Sequence, residues 1–253
     1  MIGVYFSGTG NSKYCVEKFL QEYDAQAMTF SIEDNELLNQ IDRHTDIAFG
    51  YPVQYSNIPK ILKDFIVNHS AMWKDKRVFI IATMGLFSGD GSGILARELK
   101  RHGAVVIGGL HLKMPDSIGD EKVLKRSIEN NKKLIIAAEK KIKKAVIEIK
   151  NGNSPQEGIG ILYHIAGLMG QRLYFINKTK QYSNRLKINS EKCIGCNKCV
   201  RLCPMKNIEM KNQIAVSGNS CTLCYRCVNN CPKQAITLLG KRVIEQSIID
   251  KYL

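Results

Sequence analysis

The sequence predicts an α/β fold with a doubly wound parallel sheet of five strands, followed by a small α+β domain. Over the first 150 residues, short apolar segments alternate with amphipathic segments of helical length, which is typical of a parallel sheet covered on both faces. Near the end of the chain, one cysteine pattern occurs twice. We therefore predict domains at 1–150 and 185–253. Residues 151–184 join them, because the Asn-Gly-Asn-Ser-Pro segment from residue 151 ends the long helix.

The predicted strands are short apolar runs, and the helices between them carry apolar residues at helical spacing. The clearest strand is Ile2–Phe6, which ends in a turn, and a weaker strand lies near Ala27–Ile32. The other strands are predicted at residues 47–50, 78–83 and 104–108. The helices are predicted at residues 13–20, 57–68, 91–101 and 121–150.

The turn after the first strand is rich in glycine and hydroxyl groups. A strand, such a turn and then a helix form a phosphate-binding arrangement, because backbone N–H groups and the helix N-terminus face the anion. The turn lacks the Gly-Lys-Ser/Thr ending of nucleotide-triphosphate loops and does not fit GxGxxG. Alternatively, it only caps the helix. The candidate phosphate-binding residues are Ser7, Gly8, Thr9, Gly10, Asn11 and Ser12.

This turn and the strand pattern closely resemble flavodoxins, whose sheet order 2-1-3-4-5 places the ligand at the carboxyl ends of the strands. The resemblance implies FMN, with its phosphate in the turn and its isoalloxazine ring between the loops after the third and fourth strands. The candidate residues in these loops are Pro52, Val53, Gln54, Tyr55, Thr83, Met84, Gly85, Phe87, Ser88, Gly89 and Asp90.

Individual roles follow from the same resemblance. Tyr55 and Phe87 are candidate stacking partners of the ring, although aromatic side chains also pack within their own loops. Gln54, Gly85 and Gly89 are expected near its polar edge. Asp90 has an alternative role as the cap of the helix that starts at residue 91.

The repeated cysteine pattern reads C-x2-C-x2-C-x3-C-P, beginning at Cys193 and again at Cys221. It resembles bacterial ferredoxins, in which the fourth cysteine of each copy ligates the other [4Fe–4S] cluster. Structural zinc prefers two cysteine pairs, and disulfides need an oxidising compartment, so the doubled spacing favours iron–sulfur clusters over both alternatives. The implied ligands of one cluster are Cys193, Cys196, Cys199 and Cys231. Those of the other are Cys221, Cys224, Cys227 and Cys203.

The formal net charge of +14 is unevenly distributed. Residues 1–120 carry 12 Lys and Arg against 14 Asp and Glu, whereas residues 183–253 carry 12 against 4. An oxidised cluster with four thiolates carries about −2, so part of the C-terminal excess offsets cluster charge. The lysines at 140–144 form a solvated helix face or a docking site for an acidic protein. No nucleic-acid-binding motif accompanies the charge, so no such partner is expected.

Several residues stand outside these motifs. Residues 158–176 are apolar and are expected to pack between the domains, with a membrane-surface helix as the alternative. Cys15 is expected in the core. His111 and Asp116, after the fifth strand, are candidate proton donors near the flavin, or ordinary loop residues. No apolar run is long enough to cross a bilayer, so a soluble cytoplasmic protein is expected.

The combined resemblance is to the flavodoxin–ferredoxin fusion proteins of anaerobic bacteria and archaea, similar in content to iron–sulfur flavoproteins. It implies electron transfer between FMN and two [4Fe–4S] clusters, in exchange with a ferredoxin-type donor or a redox enzyme. The alternative is an FMN-dependent reductase of a small-molecule acceptor, fed by the clusters. A regulator with structural or sensing clusters is a third hypothesis, although no effector domain is apparent.

Overall fold

The computed structural model describes residues 1–86, 89–167 and 181–253 of the chain. The strands of the first domain are β1 Ile2–Tyr5, β2 Thr29–Ser31, β3 Asp46–Pro52, β4 Arg77–Met84 and β5 Val105–Lys113. They form one parallel sheet in the order β2-β1-β3-β4-β5. The helices are α1 Asn11–Tyr23, α2 Leu37–Arg43, α3 Lys60–Asn68, α4 Ser92–Arg101, α5 Ile128–Lys150 and α6 Ile161–Gly167.

The central strands have buried side chains on both faces of the sheet. Successive side chains of a strand point to opposite sides, and helices cover both sides. Phe49 and Ile80 face the core that α2, α3 and α4 cover. Phe79 and Ile81 face the opposite core, which α1 and α5 cover. Cys15 is fully buried in this second core, as predicted. The predicted fold of the first domain is therefore confirmed.

The second domain is smaller and contains short elements. Its strands are β6 Lys187–Ile188, β7 Ile208–Lys211, β8 Ile214–Ser217 and β9 Ile236–Thr237. β6 pairs antiparallel with β9, and β7 with β8. Two helices of five residues each, α7 Lys198–Leu202 and α8 Arg226–Asn230, occupy equivalent places in the two copies of the cysteine pattern. This is a ferredoxin-like α+β arrangement, as predicted.

Several boundaries differ from the predictions for local reasons. α3 begins at Lys60 because Pro59 precedes it and fits only the first turn of a helix. α5 begins at Ile128, seven residues later than expected, because the Ser127 hydroxyl caps it by accepting the Asn130 N–H at 3.2 Å. The short α2 was not predicted at all.

The segment after α5 partly belongs to the first domain. Gln156 forms a parallel bridge with Gly109 of β5, and the Glu157 N–H donates to the Gly109 carbonyl at 2.9 Å. α6 then contacts α4. The described part of residues 158–176 therefore packs on the first domain, and residues 168–176 lie outside the described residues. Across the described ranges, no helix is long and apolar enough to cross a membrane.

The loop between β5 and α5 binds the second domain through one buried carboxylate. One oxygen of Asp120 accepts the Tyr225 hydroxyl at 2.9 Å. The other accepts the backbone N–H groups of Leu238, Leu239 and Gly240 at 2.6, 2.9 and 3.1 Å. The C-terminal tail also returns to the first domain, where Tyr252 packs in the core beneath α1 and α5. The two domains therefore share a polar and apolar interface.

Replacing Asp120 by alanine should weaken this interface severely. Four donors, two of them buried, would lose their acceptor, which we expect to lower the free energy of unfolding by about 3–5 kcal/mol. The thermal unfolding midpoint, followed by circular dichroism, tests this. Asp42→Ala, at an exposed position of α2, is the control and should change the midpoint little. Similar midpoints for the two variants would contradict the role given to Asp120.

Candidate functional site

A cavity of about 270 Å³ lies at the carboxyl ends of the parallel strands. Parallel sheets of this type bind ligands at this edge, near the point where the strand order reverses. Four loops of the first domain line the cavity, and residues 223–225 of the second domain complete it. The predicted residues that line it are Ser7, Gly8, Thr9, Asn11, Ser12, Pro52, Val53, Gln54, Tyr55, Thr83, Met84 and Gly85.

The hydroxyl-rich turn is held in place by its own side chains. The Ser7 hydroxyl accepts the Gly10 N–H at 3.1 Å, and the Ser12 hydroxyl lies 2.7 Å from that of Thr83 on β4. The Asn11 amide donates to the Pro115 carbonyl at 2.7 Å. The N-cap residue of α1 is Gly10, which has no side chain, so Ser7 supplies the hydroxyl contact at the start of this helix. Asn11 and Ser12, the first two residues of α1, line the cavity, whereas Gly10 does not; a helix N-terminus at this place suits an anion.

The loop after β3 reaches both the cavity and the second domain. The Gln54 amide donates to the Leu223 carbonyl at 3.1 Å. Tyr55 lines the cavity, and its ring lies 5.5 Å from that of Tyr182, at the edge of the core of the second domain. Burial raises the pKa of the Tyr55 phenol, so the side chain stays neutral. Tyr55 therefore remains a candidate for stacking on the flavin ring, and its contact with Tyr182 also holds it against the second domain.

The loop after β4 contributes less to the cavity than predicted. Phe87 and Ser88 lie outside the described residues, and the lining does not include Gly89 or Asp90. The Asp90 side chain is fully buried and pairs with Arg97 and with His164, 3.2 Å away. Asp90 thus stabilises the contact of α4 with α6, because a buried carboxylate requires such partners.

The loop after β5 also lines the cavity, and apart from Asp116 it was not predicted to do so. Residues 114–118 form one wall. The Asp116 carboxylate accepts the Ile118 N–H at 2.8 Å, and burial raises its pKa. A methyl group at Gly85 would overlap this carboxylate, so the glycine allows the two loops to touch. Asp116 therefore lies at the cavity, as predicted.

His111 does not lie where we predicted it. β5 extends to Lys113, so His111 lies inside this strand rather than after it, and it does not line the cavity. Its Nε2 accepts the Ser92 N–H at 3.1 Å, at the start of α4. Burial lowers its pKa to about 4, so the imidazole is neutral at pH 7. His111 thus supports the packing of α4 on β5.

The residues that line the cavity suit FMN in their chemistry. One end offers the hydroxyls of the 7–12 turn and a helix N-terminus, which are donors suited to a phosphate without any lysine. The remainder is lined largely by apolar side chains, among them Val53, Met84 and Leu124. Such a surface suits a planar ring system.

The eight clustered cysteines surround two further cavities. Cys193, Cys196, Cys199 and Cys231 line one of them. Cys203, Cys221, Cys224 and Cys227 line the other. The structure therefore brings together the two crossed sets that the ferredoxin resemblance implies.

Backbone N–H groups point at the sulfurs of these cysteines. Those of Asn207 and Ala215 lie 3.3 and 3.5 Å from Cys203 and Cys193. The N–H groups of Leu223 and Ala235 lie 3.4 and 3.3 Å from the sulfurs of Cys221 and Cys231. Such donors stabilise thiolates and tune the reduction potential of iron–sulfur clusters. The donor set therefore fits [4Fe–4S] clusters.

One cysteine cavity adjoins the FMN cavity. Cys224 and Tyr225 line both of them. A methyl group at Gly8 would overlap the Cys224 carbonyl oxygen, so only glycine lets the cysteine loop rest on the phosphate turn. Arg226 adds two contacts, to the Ser7 carbonyl at 2.8 Å and to Glu33 at 2.7 Å. We call the adjoining cavity the proximal cluster site and that of Cys193 the distal cluster site.

The comparisons with known proteins agree with this division. Residues 2–106 match the model of a flavodoxin domain, and residues 192–235 match that of a 4Fe–4S dicluster domain. The chain therefore contains a flavodoxin domain and a 4Fe–4S dicluster domain, which is consistent with a flavodoxin–ferredoxin fusion. Together the two domains support the general class of electron-transfer proteins that contain a flavin and iron–sulfur clusters. No curated protein matches the chain.

Similar solved structures include two bacterial flavodoxins. Two-electron reduced flavodoxin from Megasphaera elsdenii is 22% identical, with a TM-score of 0.41, over 55% of this chain and 99% of that one. Flavodoxin from Fusobacterium nucleatum, bound to flavin mononucleotide, is 18% identical, with a TM-score of 0.41, over 60% of this chain and 97% of that one.

The depressed pKa of His111 predicts a loss of stability in mild acid. The unfolded chain protonates this imidazole near pH 6.5, whereas the folded protein keeps it neutral down to about pH 4. The free energy of unfolding should therefore fall by about 2 kcal/mol between pH 7 and pH 5. His111→Gln should remove this part of the slope, measured from urea midpoints. His69→Gln is the control, and equal slopes for all three proteins would contradict the assignment.

Proposed function

We propose that the chain is an electron-transfer protein that holds FMN at the carboxyl edge of its sheet and two [4Fe–4S] clusters in its second domain. FMN exchanges one or two electrons, whereas each cluster exchanges one. Residues 7–12 would hold the phosphate, and the loops after β3, β4 and β5 would hold the ring. The two sets of four cysteines would ligate the clusters, in the reducing cytoplasm that free thiols favour.

The wall shared by the FMN cavity and the proximal cluster site carries this proposal. Cys224 and Tyr225 line both cavities, and Gly8 and Gln54 contact the same loop. These contacts support the proposal, because they would hold a cluster beside the flavin. A covalent and packed connection replaces a bimolecular encounter by transfer within one molecule.

A reductase of a small molecule is the second candidate function. Asp116 lines the FMN cavity with a carboxyl group whose pKa burial raises. A protonated carboxyl at this position could supply a proton to a bound acceptor. An anaerobic screen for flavin reoxidation by small acceptors distinguishes the candidates, because a pure carrier should react only with redox proteins.

The phosphate assignment predicts a selective loss of FMN. In the double variant Ser7→Ala/Thr9→Ala, two hydroxyls at the cavity disappear, and we expect FMN affinity to fall at least about tenfold, since each lost hydrogen bond to a charged group is worth about 1.5–3 kcal/mol. Iron should stay at eight per chain, because the cysteines are untouched. Fluorescence titration of FMN and iron analysis measure the two contents.

The exposed hydroxyl of Ser190 provides the control. Ser190→Ala should keep both FMN and iron. Unchanged FMN affinity in the double variant would overturn the phosphate assignment.

We call the transfer of electrons through the clusters to the flavin the relay. It predicts that the proximal cluster site is needed when an external donor reduces the flavin. Cys203→Ser removes one proximal ligand and should slow flavin reduction by an external one-electron donor more than tenfold, because one step of the path is lost. Stopped-flow absorbance of the flavin measures this. Cys15→Ser, in the core of the first domain, is the cysteine control. Wild-type flavin reduction in a Cys203→Ser protein that lacks the proximal cluster would refute the relay.

A further inference from the structure

The two cluster sites differ in their access to solvent. Cys227 of the proximal site is buried, and the loop beside it is covered by the first domain. At the distal site, by contrast, Cys196 is exposed, and the neighbouring Ile194 is 59% exposed. Electron transfer falls off with distance, so an external protein would reach the distal site first.

The opening of the distal site is positively charged. Lys192, Lys198 and Lys233 line this cavity and are exposed. Together with Ile194 they form what we call the distal rim. Within the described part of the chain, no ion pair is recorded for these three lysines, whereas nearby Lys211 pairs with Glu209 at 2.7 Å.

The composition of the distal rim is that of a transient protein interface. An exposed apolar side chain lies at the centre, with charged groups around it, and such an arrangement supports brief contacts between electron-transfer proteins. The lysine stripe on α5 is less suitable. Lys141 bonds Glu157 at 2.7 Å, and Lys143 and Lys144 pair with Glu22 and Glu148.

We propose that the distal rim is the docking surface for an acidic one-electron carrier protein of the ferredoxin type. The distal cysteines would hold the cluster that exchanges electrons with this carrier: in the entering direction the reduced carrier would lose one electron and the cluster would gain it, with no bond or proton transferred. The three ammonium groups steer the acidic carrier, which raises the association rate at low salt. This inference rests on the proposed function, because it assigns a partner to the same relay.

Charge reversal tests the proposal on the full chain with both cofactors bound. The probe is a reduced acidic [2Fe–2S] ferredoxin, and the variant is Lys192→Glu/Lys198→Glu/Lys233→Glu. The second-order rate of cluster reduction should fall 10- to 100-fold at low ionic strength. The wild-type rate should fall as salt is added, and the variant rate should not. Iron analysis and the midpoint potential of the distal cluster show whether the variant keeps its clusters.

Two controls make the result specific. The first control changes the net charge by the same amount at exposed positions of α5, in the variant Lys132→Glu/Lys140→Glu/Lys144→Glu. This variant should keep the wild-type rate. A basic cytochrome, used as an electron acceptor, should not be slowed by reversal of the distal rim. A similar loss in both triple variants would overturn the proposal. So would a loss explained wholly by a shifted cluster potential, because the lysines would then only balance cluster charge.

The readouts also separate this proposal from the relay. Cluster reduction is followed by its own absorbance and paramagnetic signal, and flavin reduction by the flavin absorbance. Salt-dependent cluster reduction without subsequent flavin reduction would support the docking surface and refute the relay. Flavin reduction at equal rates in wild type and distal-rim variant would refute the docking surface, while the Cys203→Ser comparison tests the relay separately.

Discussion

The buried carboxylate of Asp120 is the interaction on which the arrangement of the two domains depends. It follows β5, the last strand of the sheet, and its two oxygens accept four hydrogen bonds from the second domain. One donor is the hydroxyl of Tyr225, the residue after a cluster cysteine. A buried carboxylate is stable only when such donors surround it. Asp120 therefore fixes the cysteine loop over the carboxyl edge of the sheet, where the flavin site lies.

The parts of the site that depend on local sequence could be predicted from it. Three of the four ligands of each cluster lie within a few residues of one another, so their spacing predicts the loop that holds them, and the repeated pattern predicts the distant fourth ligand. The phosphate turn is also local, because the strand, the turn and the helix are consecutive. By contrast, the contacts of Arg226 with Glu33 and of Gln54 with Leu223 join residues far apart in the chain. A single sequence contains no information on which of its distant polar residues pair.

The error over His111 has a specific cause. The strand was predicted to end at Gly108, the last residue of the apolar run that begins at Ala104. In the structure, β5 continues through Gly109, which lies against Ser92 of α4 and Glu157. A side chain at Gly109 would overlap both neighbours. The glycines therefore mark close packing and not the end of the strand, and the chain reaches the flavin cavity five residues later than expected.

The two cysteine copies differ where one of them meets the flavin domain. At equivalent places, the distal copy has Gly195 and the proximal copy Leu223, both with positive φ, 66° and 58°. A leucine in this conformation costs about 1 kcal/mol relative to glycine. Leu223 lines the FMN cavity, and its carbonyl accepts a hydrogen bond from the Gln54 amide. Strain at only one of two equivalent positions is consistent with a functional contact there, and it distinguishes the flavin-facing cluster from the one that faces solvent.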